Sequence, residues 1–510
     1  MKFSIYCFLP FATTEAFVSP LHKEFRGNSQ NVLAATVSDE EATKPEAPLY
    51  AINPFHRIET DIDTLDDSLK PGRTENEKFR CDESVEFWKT FRSLGNAKNL
   101  DRARSIIAKH VLSESSNDES RAYWLSHVLR TSYFVTNAVA GLVGHDLYER
   151  FLSDKPRNDV SSSNSRLSLF LKTDAGTRLI AEAMLCYEQD HKQVQKGRLR
   201  FPWDAILYNK NSNRFQIQAT HLQLNPFFAL SETSRVVREA IGIYRRQNRY
   251  KGKPSTEGVW MMQGRREHGL SSLPASTLQY PSYYLNDFHY QNDGWLSTES
   301  AETYEVSTET LFLGRQDAMQ RQTLLPIKSH FGNQDPKTLL EVACGTGRFA
   351  TFTRDNFRST LVTLTDLSPF YLEKARRNDA YWRTYQSLDV APARCVQANA
   401  ESLPFEDESF EAVTCVYLFH ELPEEARVQA ASEMARVVKR GGIVVITDSF
   451  QLGDRPPIDA NIGGFSTLNE PHFQNYIRTA IAPLFERHGL VCHEKYFASS
   501  SKTLSFLKPK

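Results

Sequence analysis

Residues 339–348 read LLEVACGTGR, and the rest of the chain is interpreted outward from them. Leu339-Leu340-Glu341-Val342 has the composition of a buried strand, and Ala343-Cys344-Gly345-Thr346-Gly347 is a small-residue turn into a helix. Glycine tolerates a left-handed backbone and lets the main chain approach a ligand where a Cβ would clash. A helix starting behind such a turn presents unpaired N–H groups. The next apolar segment, LVTLTDLS at 361–368, is a second strand ending in Asp366. A carboxylate there can accept hydrogen bonds from both hydroxyls of a ribose. Two adjacent strand ends thus make one nucleoside site.

The motif alone leaves the nucleoside open. Gly345-x-Gly347-x-x-Ala350 also satisfies the dinucleotide fingerprint, and Asp366 follows Gly347 by 19 residues. Glu341, just before the glycines, would repel a pyrophosphate. Further along, QANAESLPFEDESFEAVTCVYLFHEL (397–422) places Asn399 at the end of a third strand and Tyr417, His420 and Glu421 after a fourth. VVKRGGIVVITD (437–448) predicts a Gly441-Gly442 turn into a fifth. Strands are expected at 338–342, 360–365, 394–397, 412–417, 443–447, 491–497 and 503–507, and helices from near Gly347, Pro369, Glu424 and Pro471. Such alternation predicts an α/β fold, a doubly wound seven-stranded Rossmann-like sheet whose close last pair forms an antiparallel edge hairpin.

In order, LEVACGTG, TDLS, NAESLPFEDESFEAV, FHEL and VVKRGGIVVITD resemble class I S-adenosylmethionine-dependent methyltransferases of the ubiquinone/menaquinone-biosynthesis type, over about residues 337–497. Residues 280–321 are also similar to an extension in a plant and cyanobacterial group of these enzymes. The resemblance implies the cofactor S-adenosyl-L-methionine and a seven-stranded methyltransferase sheet. It implies that Glu341, Ala343, Gly345 and Gly347 line the methionine and ribose part, that Asp366 binds the ribose hydroxyls and that Leu367 packs on adenine. Asn399 and Ala400 would read the adenine edge, and Tyr417 would lie beside the sulfonium. Ala343 replaces the family's first glycine, and Asn399 stands where aspartate is common. The implied reaction is in-line methyl transfer to an O, N, C or S acceptor, in which the protein positions the reactants and excludes water.

An acceptor hydroxyl or acidic carbon also needs a base. His420 is the first candidate, with Glu421 or Tyr417 as orienters, and His289 the second. The alternative for His420 is a cap at the strand–helix junction. Cys344 and Cys415 are read as small pocket and core residues. Tyr304 and Arg315 are candidate lid residues. The acceptor is read as a small or lipidic organic molecule such as a prenylated ring. RNA methylation stays open but weakened, because Tyr417-Leu418-Phe419-His420 stands where base methylases carry Asn/Asp-Pro-Pro-aromatic. A non-catalytic module, its N-terminal domain binding a protein partner, is the other alternative, and a nicotinamide dinucleotide enzyme a minor one.

The rest of the 510-residue chain frames this region. Lys plus Arg number 61 and Asp plus Glu 62, a balance that argues against non-specific nucleic-acid binding. Mean hydropathy is −0.47, and no stretch approaches the ~18 apolar residues of a membrane span. The most apolar long segment, 128–144, reads as a buried helix. Seven scattered cysteines without a CxxC exclude a disulfide framework and a standard structural zinc site, and fit a reducing compartment; no metal-binding residues are expected. Residues 1–50 are expected to be a leader and linker. Lys2, the apolar run 3–12 and Ala16-Phe17 resemble a plastid-targeting signal, with secretion or a cytoplasmic location as alternatives. Residues 51–270 are expected to form a mainly helical domain, 271–330 an aromatic-rich connector and lid, and 331–510 the methyltransferase domain. Ser161 to Ser165 reads as a loop, and 304–321 as one helix. Arg245, Arg246, Arg249, Lys251 and Lys253 read as cations at a helix C-terminus, in preference to a phosphate-binding patch. The aromatic cluster Tyr280, Tyr283, Tyr284, Phe288, His289, Tyr290 and Trp295 suits equally a seam between domains and the wall of an acceptor pocket.

Overall fold

The computed structural model describes residues 66–112, 117–151, 173–205, 207–209, 214–216, 226–250, 280–286, 288–291, 293–386, 388–463 and 469–510. The leader at 1–50, the serine-rich loop at 161–165, Lys251 and Lys253 lie outside them. All described residues belong to one compact unit.

The centre is an eight-stranded mixed sheet. Its strands are β1 (Arg80–Cys81), β2 (Thr338–Val342), β3 (Leu361–Asp366), β4 (Arg394–Gln397), β5 (Phe410–Val416), β6 (Val438–Ser449), β7 (Val491–Ala498) and β8 (Ser501–Leu507). They lie in the order β1-β7-β8-β6-β5-β2-β3-β4. Strands β4, β3, β2, β5 and β6 are mutually parallel, and β8 is antiparallel to both neighbours, the expected edge hairpin. The seven expected strands are present. The eighth, β1, is a two-residue strand from the N-terminal region, parallel to β7. Strand order reverses between β2 and β5, so the crevice at their carboxyl ends is the topological switch point where such sheets bind ligands.

The helices used below are α1 (Pro71–Lys78), α2 (Glu83–Thr90), α3 (Asn96–Ile107), α4 (Asp118–Phe151), α5 (Ala175–Gln195), α6 (Pro226–Tyr250), α7 (Thr298–Leu311), α8 (Leu324–Phe331), α9 (Arg348–Asn356), α10 (Pro369–Tyr385) and α11 (Glu424–Val437). Among the described residues none is long and apolar enough to cross a membrane. The apolar segment at 128–144 is the middle of α4. Its Tyr123, His127, Thr131, Phe134 and Leu142 fall at helical spacing and are buried. A buried charge cluster holds α1 to the sheet edge: Lys495 Nζ lies 2.7 Å from Asp454 and 3.4 Å from Glu75, and Lys502 Nζ lies 2.5 Å from Glu75. On α5, Glu182 pairs with Arg455 at 2.9 Å, and Asp190 with Arg321 at 2.9 Å.

Three local expectations are corrected. The helix expected over 304–321 starts earlier, as α7, and breaks at Leu313 and Gly314, whose φ angles are +50° and +85°, before a short helix Gln316–Gln320. Gly314 is needed there because a Cβ would lie 3.0 Å from the Phe134 ring, while its carbonyl accepts from Arg130 Nε at 3.0 Å. Gly441-Gly442 is a bulge inside the continuous β6, where the β5–β6 register shifts, and not a turn before it. The helix expected from Pro471 is two four- to five-residue pieces, Phe473–Tyr476 and Ala482–Glu486.

Candidate active site

At the carboxyl end of β2, Ala343, Gly345 and Gly347 all take left-handed φ angles, +54°, +55° and +70°. The turn is tied to the next strand by Cys344 N–H donating to the Thr365 carbonyl at 2.8 Å. Gly345 N–H donates to Asp366 Oδ2 at 2.9 Å, and Ser368 N–H to Asp366 Oδ1 at 2.8 Å. The chain therefore fixes the Asp366 carboxylate with its own amides. Each oxygen keeps a further lone pair for a ligand. A Cβ on Gly345 would meet nothing within 4 Å, so the main chain borders open space there. A Cβ on Gly347 would lie 2.8 Å from Ala375 Cβ on α10. Gly347 thus lets α9 and α10 pack, and it is the one expected cofactor residue that does not line the cavity.

That cavity is about 850 Å³, within the ~300–1,000 Å³ of small-molecule sites and near its upper end. Glu341, Ala343, Gly345, Asp366, Leu367, Asn399, Ala400, Tyr417, His420 and Glu421 all line it. Burial pushes the Glu341 carboxyl up to about 8, with Asp366 adding repulsion. Burial also raises Asp366, to about 6, against the pull of its amide donors. Glu341 Oε2 is buried without a hydrogen-bond partner. Asn399 is partly engaged in its own turn, its Oδ1 accepting from Glu401 N–H at 3.0 Å.

After β5 the backbone turns sharply at Tyr417, φ +58°. The Tyr417 hydroxyl lies 2.5 Å from Ser501 Oγ. His420 Nδ1 is 2.6 Å from Asp448 Oδ1, at the end of β6, and its Nε2 is 3.5 Å from Glu421 Oε1. The same Glu421 oxygen lies 2.9 Å from His289 Nε2, and His289 Nδ1 lies 3.1 Å from Glu470. Asp448 and Glu421 hold the His420 imidazole well above its usual pKa, and Glu421 with Glu470 raises His289 to about 10. Two imidazolium groups hold Glu421 far below the usual carboxylate range. These shifts favour the charged forms of His420, His289 and Glu421 at neutral pH.

The aromatic connector forms the wall over β3. Trp295 packs edge-on against Tyr304 and Tyr371, each at 5.6 Å, and its carbonyl accepts from Ser368 Oγ at 2.5 Å. Tyr283, Tyr284, Phe288 and Trp295 line the cavity, so the cluster serves as pocket wall and seam at once. Tyr304 lines it as well. Arg315 does not: it is buried, donates to Ser499 Oγ at 2.9 Å and the Phe312 carbonyl at 2.6 Å, and is not a lid. Arg246, from the cationic end of α6, pairs with Glu239 at 2.6 Å and holds the Tyr290 carbonyl, consistent with an internal role.

Sequence reasoning missed the far half of the cavity. Its wall is one face of α4 (Arg130, Phe134, Asn137, Ala138, Gly141, Leu142) and one of α6 (Val236, Ala240, Ile243, Tyr244). The apolar spacing in both helices was visible; that the two faces converge on a ligand space was not. Glu470 carried no local signal. Among the described residues no group of three or more His, Cys, Asp or Glu is arranged to hold a metal ion.

Residues 339–442, from β2 to the β6 bulge, match the family model for a methyltransferase domain. Over these residues the sheet is similar to a methyltransferase domain. The chain is 28% identical over 148 residues to a demethylmenaquinone methyltransferase of Deinococcus radiodurans, covering 29% of this chain and 56% of the relative. It is 28% identical over 206 residues to a ubiquinone/menaquinone biosynthesis C-methyltransferase of Desulfotalea psychrophila, covering 40% and 72%. It spans about half the length of several curated relatives it matches. A solved TehB-like methyltransferase of Corynebacterium glutamicum aligns at 17% identity and TM-score 0.29, over 42% of this chain and all of that one. Residues of the matched segment line one part of the cavity, the connector and α7 another, and α4 and α6 the far part.

Proposed function

We propose that this protein is an S-adenosylmethionine-dependent methyltransferase acting on a small or lipidic organic acceptor. The observation that carries the reading is one continuous cavity. One end is a glycine turn flanked by two buried carboxyls, and the other is an apolar face of two helices. The cradle fits the cofactor. Glu341 Oε2 lacks a partner and suits the cofactor's ammonium group or a hydroxyl. Asp366 is held to accept from hydroxyls, and Gly345 leaves room where a side chain would intrude. Leu367 offers an apolar surface, and Asn399 and Ala400 polar and small edges. When bound, S-adenosylmethionine supplies a methyl group already activated by positive sulfur.

The protein's own part is to orient the acceptor and exclude water. His420 is charged and committed to Asp448, so it holds Glu421 in place, the reverse of the order expected from sequence. An acceptor hydroxyl or carbon would lose its proton only where such a group is presented. The N-terminal helices are assigned acceptor selection, supported by their share of the cavity wall. The relatives that act on quinones support a lipidic acceptor as far as their names go.

The test is calorimetric titration of S-adenosylmethionine into the full chain, with NAD as control ligand and Asp366→Ala as control protein. Micromolar binding that weakens at least tenfold in the variant is expected. No binding to the intact chain, or binding of NAD instead, overturns the reading.

A further inference from the structure

The row of charged groups on the acceptor side has a feature the methyl-transfer reading does not use. His289 is gripped by two carboxylates, Glu421 at Nε2 and Glu470 at Nδ1, and each gives it a single oxygen. The other oxygen of each, Glu421 Oε2 and Glu470 Oε2, is buried without any hydrogen-bond partner. Glu470 is only 4% exposed and Glu421 9%, and both line the cavity, as His289 does. Buried carboxylate oxygens without donors are costly, and a ligand that supplies the donors relieves that cost. They come from three separate parts of the fold: the connector, the turn after β5 and the segment before Phe473.

We propose that Glu421 and Glu470, held apart by His289, form the head-group subsite of the acceptor, and that this subsite takes a hydrogen-bond donor, a hydroxyl or an ammonium group, and rejects an anionic head. The proposal rests on the methyltransferase reading for the word acceptor, while the ligand preference stands on the geometry alone. The charges agree with it. The two rings, His289 and His420, are set against three carboxyl groups, Glu421, Glu470 and Asp448, so carboxyls outnumber imidazoles in the row. Neither free oxygen can donate to a carboxylate or phosphate. The apolar face of α4 and α6 takes the body of the same molecule. Phe134, Leu142, Val236 and Ile243 suit an aliphatic or aromatic chain, with Arg130, Asn137, Arg235 and Glu239 on the same two helices. Selectivity then comes from the head, because a site built to accept hydrogen bonds loses them with an analogue that has none to give.

The experiment uses the full chain and three probes with a common body: 4-phenylbutan-1-ol, 4-phenylbutan-1-amine and 4-phenylbutanoate. Each is titrated calorimetrically, with and without S-adenosylmethionine. The alcohol and the amine are expected to bind at least tenfold more tightly than the carboxylate. Glu470→Gln, which puts an amide in place of one free oxygen, should cut that discrimination about tenfold, and Glu421→Gln likewise. The affinity for S-adenosylmethionine should stay within twofold in Glu470→Gln. Equal or tighter binding of the carboxylate to the unmodified chain overturns the proposal, and so does undiminished discrimination in a folded Glu470→Gln protein. The series on the unmodified chain decides the matter even where a variant fails to fold. Failure of S-adenosylmethionine to bind, with head-group discrimination intact, sinks the methyltransferase reading and leaves this subsite standing.

Discussion

Ala343 carries a methyl group at a φ of +54°, in the left-handed region that glycine occupies freely. A non-glycine residue there costs roughly 1–2 kcal/mol, partly offset by the greater freedom of glycine in the unfolded chain. Ala343→Gly should therefore raise stability by about 1 kcal/mol, measured by urea unfolding; a loss would mean that methyl packing outweighs the strain. Two residues earlier, Glu341 sets a pH dependence. A glutamate ordinarily ionises near 4.5, and burial with repulsion from Asp366 moves this one to about 8. Between those values the folded chain keeps a proton that the unfolded chain releases. This group's contribution to stability is thus largest below pH 4.5 and is lost as pH rises toward 8. The melting temperature of Glu341→Gln minus that of the unmodified chain should grow more positive across that window. A difference constant with pH would show that Glu341 is already ionised when folded. A cation bound beside Glu341 favours its charged form, so calorimetry in two buffers should also detect a proton released on binding S-adenosylmethionine.

At the scale of elements, the break between α7 and the helix at 316–320 positions much of the site. It turns the chain so that Arg130 reaches both the Gly314 carbonyl and Glu309, at 3.0 and 2.5 Å. Arg130 also meets Asp317 at 2.7 Å, and Asp317 holds Arg348, the first residue of α9, at 2.7 Å. A methyl on Gly314 would press on Phe134, Arg130 and Tyr187 and would adopt φ +85°. Gly314→Ala should cost about 2 kcal/mol, read by thermal or urea unfolding, through both effects. A change under a few tenths would mean that the corner gives way freely. This break also shows where the sequence stops being informative. The glycine turn and its two carboxyls were legible because their signals are local: Glu341, the glycines and Asp366 lie within two strand–turn units of one sheet. The break had one local signal, Gly314, but an isolated glycine inside a helical pattern does not by itself end a helix, and packing against α4 makes the corner necessary. Asp448 and Glu470 were hidden for a related reason. Each is an ordinary acidic residue until the fold sets it against a histidine more than 25 positions away in sequence.

Across the whole molecule, the question is whether the helices that wall the far cavity stand or fall with the methyltransferase sheet. The charge cluster at the sheet edge ties α1, the first of the N-terminal helices, to β7 and β8, and predicts one cooperative structure. Glu75 on α1 is fully buried, with Lys495 on β7 and Lys502 on β8 beside it and Asp454, after β6, completing two positive and two negative charges. Glu75 also accepts from the Ile481 amide at 3.3 Å, while Lys495 donates to the Gly72 carbonyl at 3.2 Å. Desolvating four charges is tolerable only while each has its partners. Removing one leaves an excess charge with nowhere to go, at a cost of about 3–5 kcal/mol. Glu75→Ala would leave two ammonium groups against the single carboxylate of Asp454. The expected result is a large fall in melting temperature in one transition, seen together by near-UV circular dichroism and by calorimetry. Loss of S-adenosylmethionine binding should follow at the same temperature. Two transitions, with only the lower one shifted and the cofactor still bound after it, would mean that the N-terminal helices unfold apart from the sheet. In that case the far wall of the cavity would be a separable addition to the methyltransferase domain, and acceptor selection could be removed without removing the cofactor site.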